Sequence, residues 1–145
     1  MIIPDANLLL YAHIPYFKQH IDSKNWLENC LSNGTEVIGL PLQVIMAFIR
    51  ISTNRRLFDI PLTIDEATEK IDIILQQSLV EIISPTNKHW NIFSKILKEE
   101  KIVGDLIMDA HLVVLAMENK ASIASTDRDF LRFSDYVKTI NPVKK

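Results

Sequence analysis

One cysteine in 145 residues removes intrachain disulfides from consideration. Cys30 has no partner, so nothing in the chain calls for an oxidising compartment, and a reducing cytoplasm is the expected setting. Glycine is almost as scarce. There are three, and no G-x-x-x-x-G-K string, which excludes a phosphate-cradling loop of that kind. No apolar run approaches the ~20 residues that span a bilayer. The first residues lack a basic stretch followed by an apolar one, so no secretory leader is expected. Neither sign of charge dominates: 16 Lys and Arg against 18 Asp and Glu leave a formal −2. That balance disfavours a general polyanion binder but leaves room for a local basic patch.

What is present is enough apolar material for a core. Hydrophobic residues make up 48% of the chain, and a length of 145 residues suits one domain that buries roughly two thirds of its unfolded surface. Short β-branched or apolar runs lie at 2–3, 36–40, 79–83, 121–125 and 136–140, each too short for an independent helix, and are read as strands. Helix-length amphipathic segments separate them. Ser23 can cap one that runs through Trp26, Leu27 and Leu31 and stops at Gly34. Pro41 suits the first turn of another that reaches about Asn54. Thr63 and Glu66 form a capping box. Thr86 can cap a helix with Trp90, Phe93, Ile96 and Leu97 on one face. Asp105 opens the last, with Leu106, Ala110, Val113, Val114 and Met117 as its buried stripe. Strands alternating with helices imply βαβ units, a parallel sheet and helices on both faces. The expectation is a single α/β domain over 1–145, with Lys144 and Lys145 a loose tail.

Aspartates stand where strands hand over to helices. Asp5 ends the opening strand, Asp105 and Asp109 are four apart in one helix, and Asp127 follows the fourth strand. In an open parallel sheet, ligands bind beyond the carboxyl ends of the strands at the switch point, and these acids map to that rim. Two carboxylates ~5 Å apart repel by about 3 kcal/mol at an effective dielectric of 20. A cluster is tolerable if a cation neutralises it or if one acid keeps its proton. Oxygen-only ligands favour Mg²⁺ or Mn²⁺ over Zn²⁺, and metal-assisted hydrolysis is the matching chemistry. Each acid also has a local use. Asp5 can cap a helix starting near Asn7, Asp105 is a natural N-cap, and Asp127 and Asp129 can serve a turn before Phe130.

The string Pro4-Asp5-Ala6-Asn7-Leu8-Leu9-Leu10-Tyr11-Ala12 resembles the first motif of PIN-domain ribonucleases, in particular the VapC-type toxins of bacterial toxin–antitoxin pairs. Met108-Asp109-Ala110-His111-Leu112-Val113 resembles their third motif. Ser125-Thr126-Asp127-Arg128-Asp129-Phe130 resembles the last. Phe48-Ile49-Arg50-Ile51-Ser52-Thr53 and the closing segment from Arg132-Phe133 to Asn141-Pro142 are similar to one VapC subgroup, so the likeness spans essentially the whole chain. It implies a three-layer PIN-like domain with about five parallel strands and a metal-dependent endoribonuclease activity. Its site carboxylates would be Asp5, Asp109 and Asp127, with Asn7 and Ser125 as polar supports. The chain departs from the family in one place. No acid lies between Pro41 and Arg50, where the family carries a Glu, and Gln43 offers only a neutral carbonyl. Asp105 is the candidate for the fourth metal carboxylate.

The resemblance further implies an RNA substrate, a small cognate VapB-like antitoxin and a homodimer. Arg50, Arg55, Arg56, Arg128 and Arg132 are candidate phosphate contacts, or solvated helix ends favoured by the dipole. A non-catalytic PIN-like module that binds RNA or protein is the alternative, supported by the missing Glu. An Asp-nucleophile phosphatase is disfavoured because Asn7, not an acid, lies two residues after Asp5. The four histidines show no metal-ligand spacing, and His111 reads as structural.

Overall fold

The computed structural model describes residues 1–143; the Lys144–Lys145 tail lies outside them. The elements in order are β1 (Ile2–Pro4), α1 (Ala6–His13), α2 (His20–Ser32), β2 (Ile38–Pro41), α3 (Leu42–Ser52), α4 (Ile64–Leu75), β3 (Val80–Ile83), α5 (His89–Glu99), α6 (Leu106–Asn119), β4 (Ser122–Ala124) and β5 (Thr139–Ile140). A 3₁₀ segment, Arg128–Phe133, joins the last two strands.

The strands form one parallel sheet in the order β3-β2-β1-β4-β5. The chain winds outward from β1 through β2 to β3, then crosses back to lay β4 on the other side of β1. Right-handed crossovers that travel in opposite directions put their helices on opposite faces. Accordingly α1, α2, α3 and α4 pack with one another, while α5, α6 and the 3₁₀ segment form a second group. Covered on both faces, the central strands carry buried apolar residues without alternation: Ile38, Gly39, Leu40 and Pro41 are all buried. Helix α6 is buried along most of its middle, from Leu112 to Ala116.

Local chemistry accounts for the element ends. Asp5 accepts from the amide of Ala6 and caps α1. The Thr63–Glu66 capping box opens α4 as its sequence dictates. Gly104 (φ 62) takes the left-handed turn between α5 and α6 that a side chain would resist.

Several expectations shift. Helix α2 begins at His20, so Ser23 lies inside it, fully buried and with its hydroxyl unpartnered, rather than at its cap. Pro41 is the last residue of β2 and the N-cap of α3, which ends at Ser52. Lys88, not Thr86, occupies the cap position of α5, with Thr86 in the preceding turn. Trp90 is 67% exposed because α5 buries a narrow stripe through His89 and Ile96. The expected strand over 136–140 contracts to Thr139–Ile140, since Tyr136 and Val137 close the turn against Phe133.

Candidate metal centre

The sheet reverses its winding between β1 and β4, and the acids gather there. Pro4 lies beside Ala124 in register, and the Asp5 amide donates to the Ala124 carbonyl at 2.8 Å. The next residue on each strand is therefore a neighbour across the junction: Asp5 on one side, Ser125 on the other. Their side chains join, with Ser125 Oγ donating to Asp5 Oδ2 at 2.8 Å. The same oxygen accepts from Asn7 Nδ2 at 3.3 Å and from the Asp127 amide at 3.0 Å. One buried hydroxyl thus fixes an acid, an amide and the turn that carries the next acid. Both supports expected from the sequence, Asn7 and Ser125, belong to this arrangement.

Asp127 turns the chain out of β4, its Oδ1 accepting from the Asp129 amide at 2.9 Å. This brings Asp129 round beside Asp127 and Asp109. Each of the three offers a carboxylate oxygen within 4.8 Å of the others. Asp109 stands in the first turn of α6, and Asp5 lines a cavity with it.

Asp105 is exposed at the N-cap of α6, one turn before Asp109, whose pKa it helps to raise; like Asp5, it stands outside the Asp109–Asp127–Asp129 group. Asp129, which the sequence offers as a turn residue, stands within that group. The signal that could have found it is the Asp-x-Asp spacing after β4, where an Asx turn folds the second acid back beside the first.

Electrostatics mark the cluster as short of positive charge. Asp109 is pushed up to about 6 by burial and by its neighbours Asp127, Asp5, Asp129 and Asp105. Asp5 is raised by burial, and Asp127 adds to this, against hydrogen bonds from Ser125 and Ala6 that lower it. Two amide oxygens, Asn7 Oδ1 and Gln43 Oε1, are buried with no hydrogen-bond partner. Gln43 lines the same cavity as Asp5 and Asp109. Carboxylates that converge here, with the Gln43 amide beside them, are oxygen donors of the kind that fits a hard divalent cation.

The arginines are placed unequally. Arg50 lines the cavity beside Asp5 and Asp109. Arg55 and Arg56 are exposed in the turn after α3, and Arg128 is exposed at the start of the 3₁₀ segment. Arg132 points to the end of α5, donating to the Glu100 carbonyl at 2.6 Å.

A second polar cluster lies between α5 and α6. Glu118 accepts from Thr86 and meets His89 Nδ1 at 2.5 Å, and His89 Nε2 meets His111 Nδ1 at 2.7 Å. His111 thereby ties α6 to α5.

Comparison with known proteins agrees with this architecture. The PIN domain family matches residues 2–136. Ribonuclease VapC43 of Mycobacterium tuberculosis is 38% identical over 133 residues, 92% of this chain and 90% of that protein. Ribonuclease VapC33 of the same organism is 34% identical over 145 residues, the whole of both. Among solved structures, VapBC2 from Rickettsia felis, bound to a DNA fragment from its promoter, matches with a TM-score of 0.68 at 18% identity. That match covers 97% of this chain and 98% of the other. FitAcB from Neisseria gonorrhoeae matches with a TM-score of 0.60 at 16% identity, covering 98% of each chain.

Proposed function

The chain belongs to the PIN-domain family, among the VapC ribonuclease toxins of toxin–antitoxin pairs, and from that premise we propose that Asp5, Asp109, Asp127 and Asp129 hold Mg²⁺ or Mn²⁺ and hydrolyse RNA. The observation that carries this reading is the convergence of Asp109, Asp127 and Asp129 beside the Asp5 rim of the β1–β4 junction. A divalent cation bound there supplies charge neutralisation and activates water for attack on phosphorus.

The protein's own part is positioning. Asp5 is held by Ser125 and the Ala6 amide, so its carboxylate is oriented before anything binds. Asp127 is fixed by its turn to Asp129. Asp109, with its proton affinity raised, gives that proton up as positive charge arrives. Arg50 lines the acid cavity, and Arg50, Arg55, Arg56 and Arg128 are exposed cations suited to phosphates, whereas Arg132 donates to the Glu100 carbonyl.

A partner surface fits the antitoxin expected of a VapC protein. Ile14, Tyr16, Leu57, Phe58, Asp59 and Ile60 line an open groove of about 360 Å³. Tyr16 and Ile60 are 82% and 93% exposed there. Exposed apolar residues of this size, grouped rather than scattered, suit an amphipathic peptide segment. The protein is proposed to act in the cytoplasm, as a homodimer over a single domain spanning 1–145, with light scattering the check on its mass.

The decisive experiment is cleavage of a panel of structured RNAs by antitoxin-free protein, with Mg²⁺ or Mn²⁺ and with chelator. Asp5→Asn serves as the matched control. Cuts that vanish with chelator and with Asp5→Asn are the expected result. Cuts that survive both would remove these acids from the chemistry.

A further inference from the structure

The wall that α3 contributes to the site differs in charge from the others. A cavity of about 160 Å³ opens beside Asp5 and Asp109, and Gln43, Ala47 and Arg50 line its α3 side. Spacings of four and three residues put these side chains on one helix face. With Val44 beside them, that wall offers a side-chain amide, aliphatic groups and a guanidinium, with no carboxylate. The acids all come from the other side: the end of β1, the first turn of α6 and the turn after β4.

Arg50 is exposed and joins none of the ion pairs among the described residues, although two carboxylates line the same cavity. Its charge is therefore free for an incoming anion. A guanidinium keeps that charge at any working pH, and its planar fork matches two oxygens of one phosphate. Two-metal hydrolases clamp the reacting phosphate between cations about 3.5–4 Å apart. Mg²⁺ and Mn²⁺ take oxygen ligands, most of them anionic or water. A second ion on the α3 side would meet one neutral oxygen and a positive charge.

We propose that Arg50 replaces a second divalent cation, its guanidinium meeting the phosphoryl oxygens while the aspartates hold one ion. The inference rests on RNA hydrolysis at this site. In that reaction a water oxygen bonds to phosphorus and one P–O ester bond breaks. The water's proton passes to a site carboxylate or solvent, and the departing oxygen takes up a proton. Negative charge rises on the phosphoryl oxygens in between, and Arg50 meets it there.

The test joins metal stoichiometry to kinetics, on the full chain. Calorimetric titration with Mn²⁺ should give one ion per wild-type chain. Arg50→Ala should bind that ion as tightly or more tightly, since it loses a neighbouring positive charge. On whichever RNA of the panel the wild type cuts, Arg50→Ala should lower kcat by about 10²–10³ with KM within about threefold. Guanidinium added to the buffer should recover part of the loss. Arg50→Lys should recover only part, because an ammonium lacks the fork. Arg50→Gln, with matched thermal midpoints, guards against a folding defect.

Two Mn²⁺ per wild-type chain would overturn the proposal, as would an unchanged kcat in Arg50→Ala or a change confined to KM. A wild type that cuts while Arg50→Ala cuts equally well sinks this inference alone. A wild type that binds Mn²⁺ and cuts no RNA sinks the hydrolysis reading, and this one with it.

Discussion

Ser125 has one proton and two lone pairs, and all three are used, on Asp5, Asn7 and the Asp127 amide. Replacing it by alanine strands two donors and frees a carboxylate in a buried place. Ser125→Ala should cost about 1–3 kcal/mol in urea unfolding and weaken Mn²⁺ binding by about 10–100-fold. Asp109 makes a prediction of opposite sign. Its folded pKa, about 6, stands above the ordinary 3.8, so the native state holds the proton more firmly than the unfolded chain. Without a divalent ion, its contribution is favourable below pH ~4 and is lost as pH rises towards about 6. Solvent reaches half of this group, so about 1 kcal/mol is at stake. Metal-free Asp109→Asn should therefore melt ~2–4 °C above the wild type at pH 7 and at the same temperature at pH 4. Proton competition should lower wild-type Mn²⁺ affinity about tenfold per pH unit below 6. A flat affinity profile from pH 5 to 7 would remove Asp109 from the ligand set.

Helices α5 and α6 are latched by Glu118, whose side chain is 3% exposed. Burial alone would raise its pKa, but hydrogen bonds from His89 and Thr86 outweigh this and hold it below the ordinary range. The stability it adds is thus present at neutral pH and lost as pH falls below ~4.5. Glu118→Ala leaves a buried imidazole without its partner and should cost about 3 kcal/mol by denaturant titration. Cleavage by the surviving folded protein should change less than about threefold, since the latch lies outside the acid cluster. Nothing in the spacing of His89, His111 and Glu118 announced this junction, because it depends on how two helices are rotated against each other. The Thr63–Glu66 cap was legible for the converse reason: both residues act within one turn. Trp90 was misjudged because an amphipathic face is wider than the stripe α5 buries. Asp129 read only as a turn residue, because a turn rather than helical spacing brings it beside Asp109. The placement of Asp5, Asp109 and Asp127 near one rim was legible from the alternation of strands and helices together with the resemblance of their motifs, and their hold on a metal is the proposal.

At the scale of the whole molecule, two surfaces stand apart. The acid rim lies at the β1–β4 junction, and the apolar groove is lined by Tyr16 and the segment after α3. Tyr16 and Phe58 meet edge to face at 6.3 Å, with Phe17 beneath both. The groove shares no lining residue with the acid cavity, so pairing and cleavage should be separable. Ile60→Asp should weaken the complex with the cognate antitoxin at least about tenfold by calorimetry, and leave cleavage by the free chain unchanged. Equal loss of both would place the groove in the RNA path instead.

Asp5 and Ser125 are joined by a hydrogen bond across 120 residues of sequence. During translation the first acid emerges early and waits for β4 and its turn to arrive. Until then the growing chain lacks Asp127, Asp129 and the hydroxyl that aims Asp5. A chain truncated before β4 should consequently bind no Mn²⁺ at this site and cut no RNA.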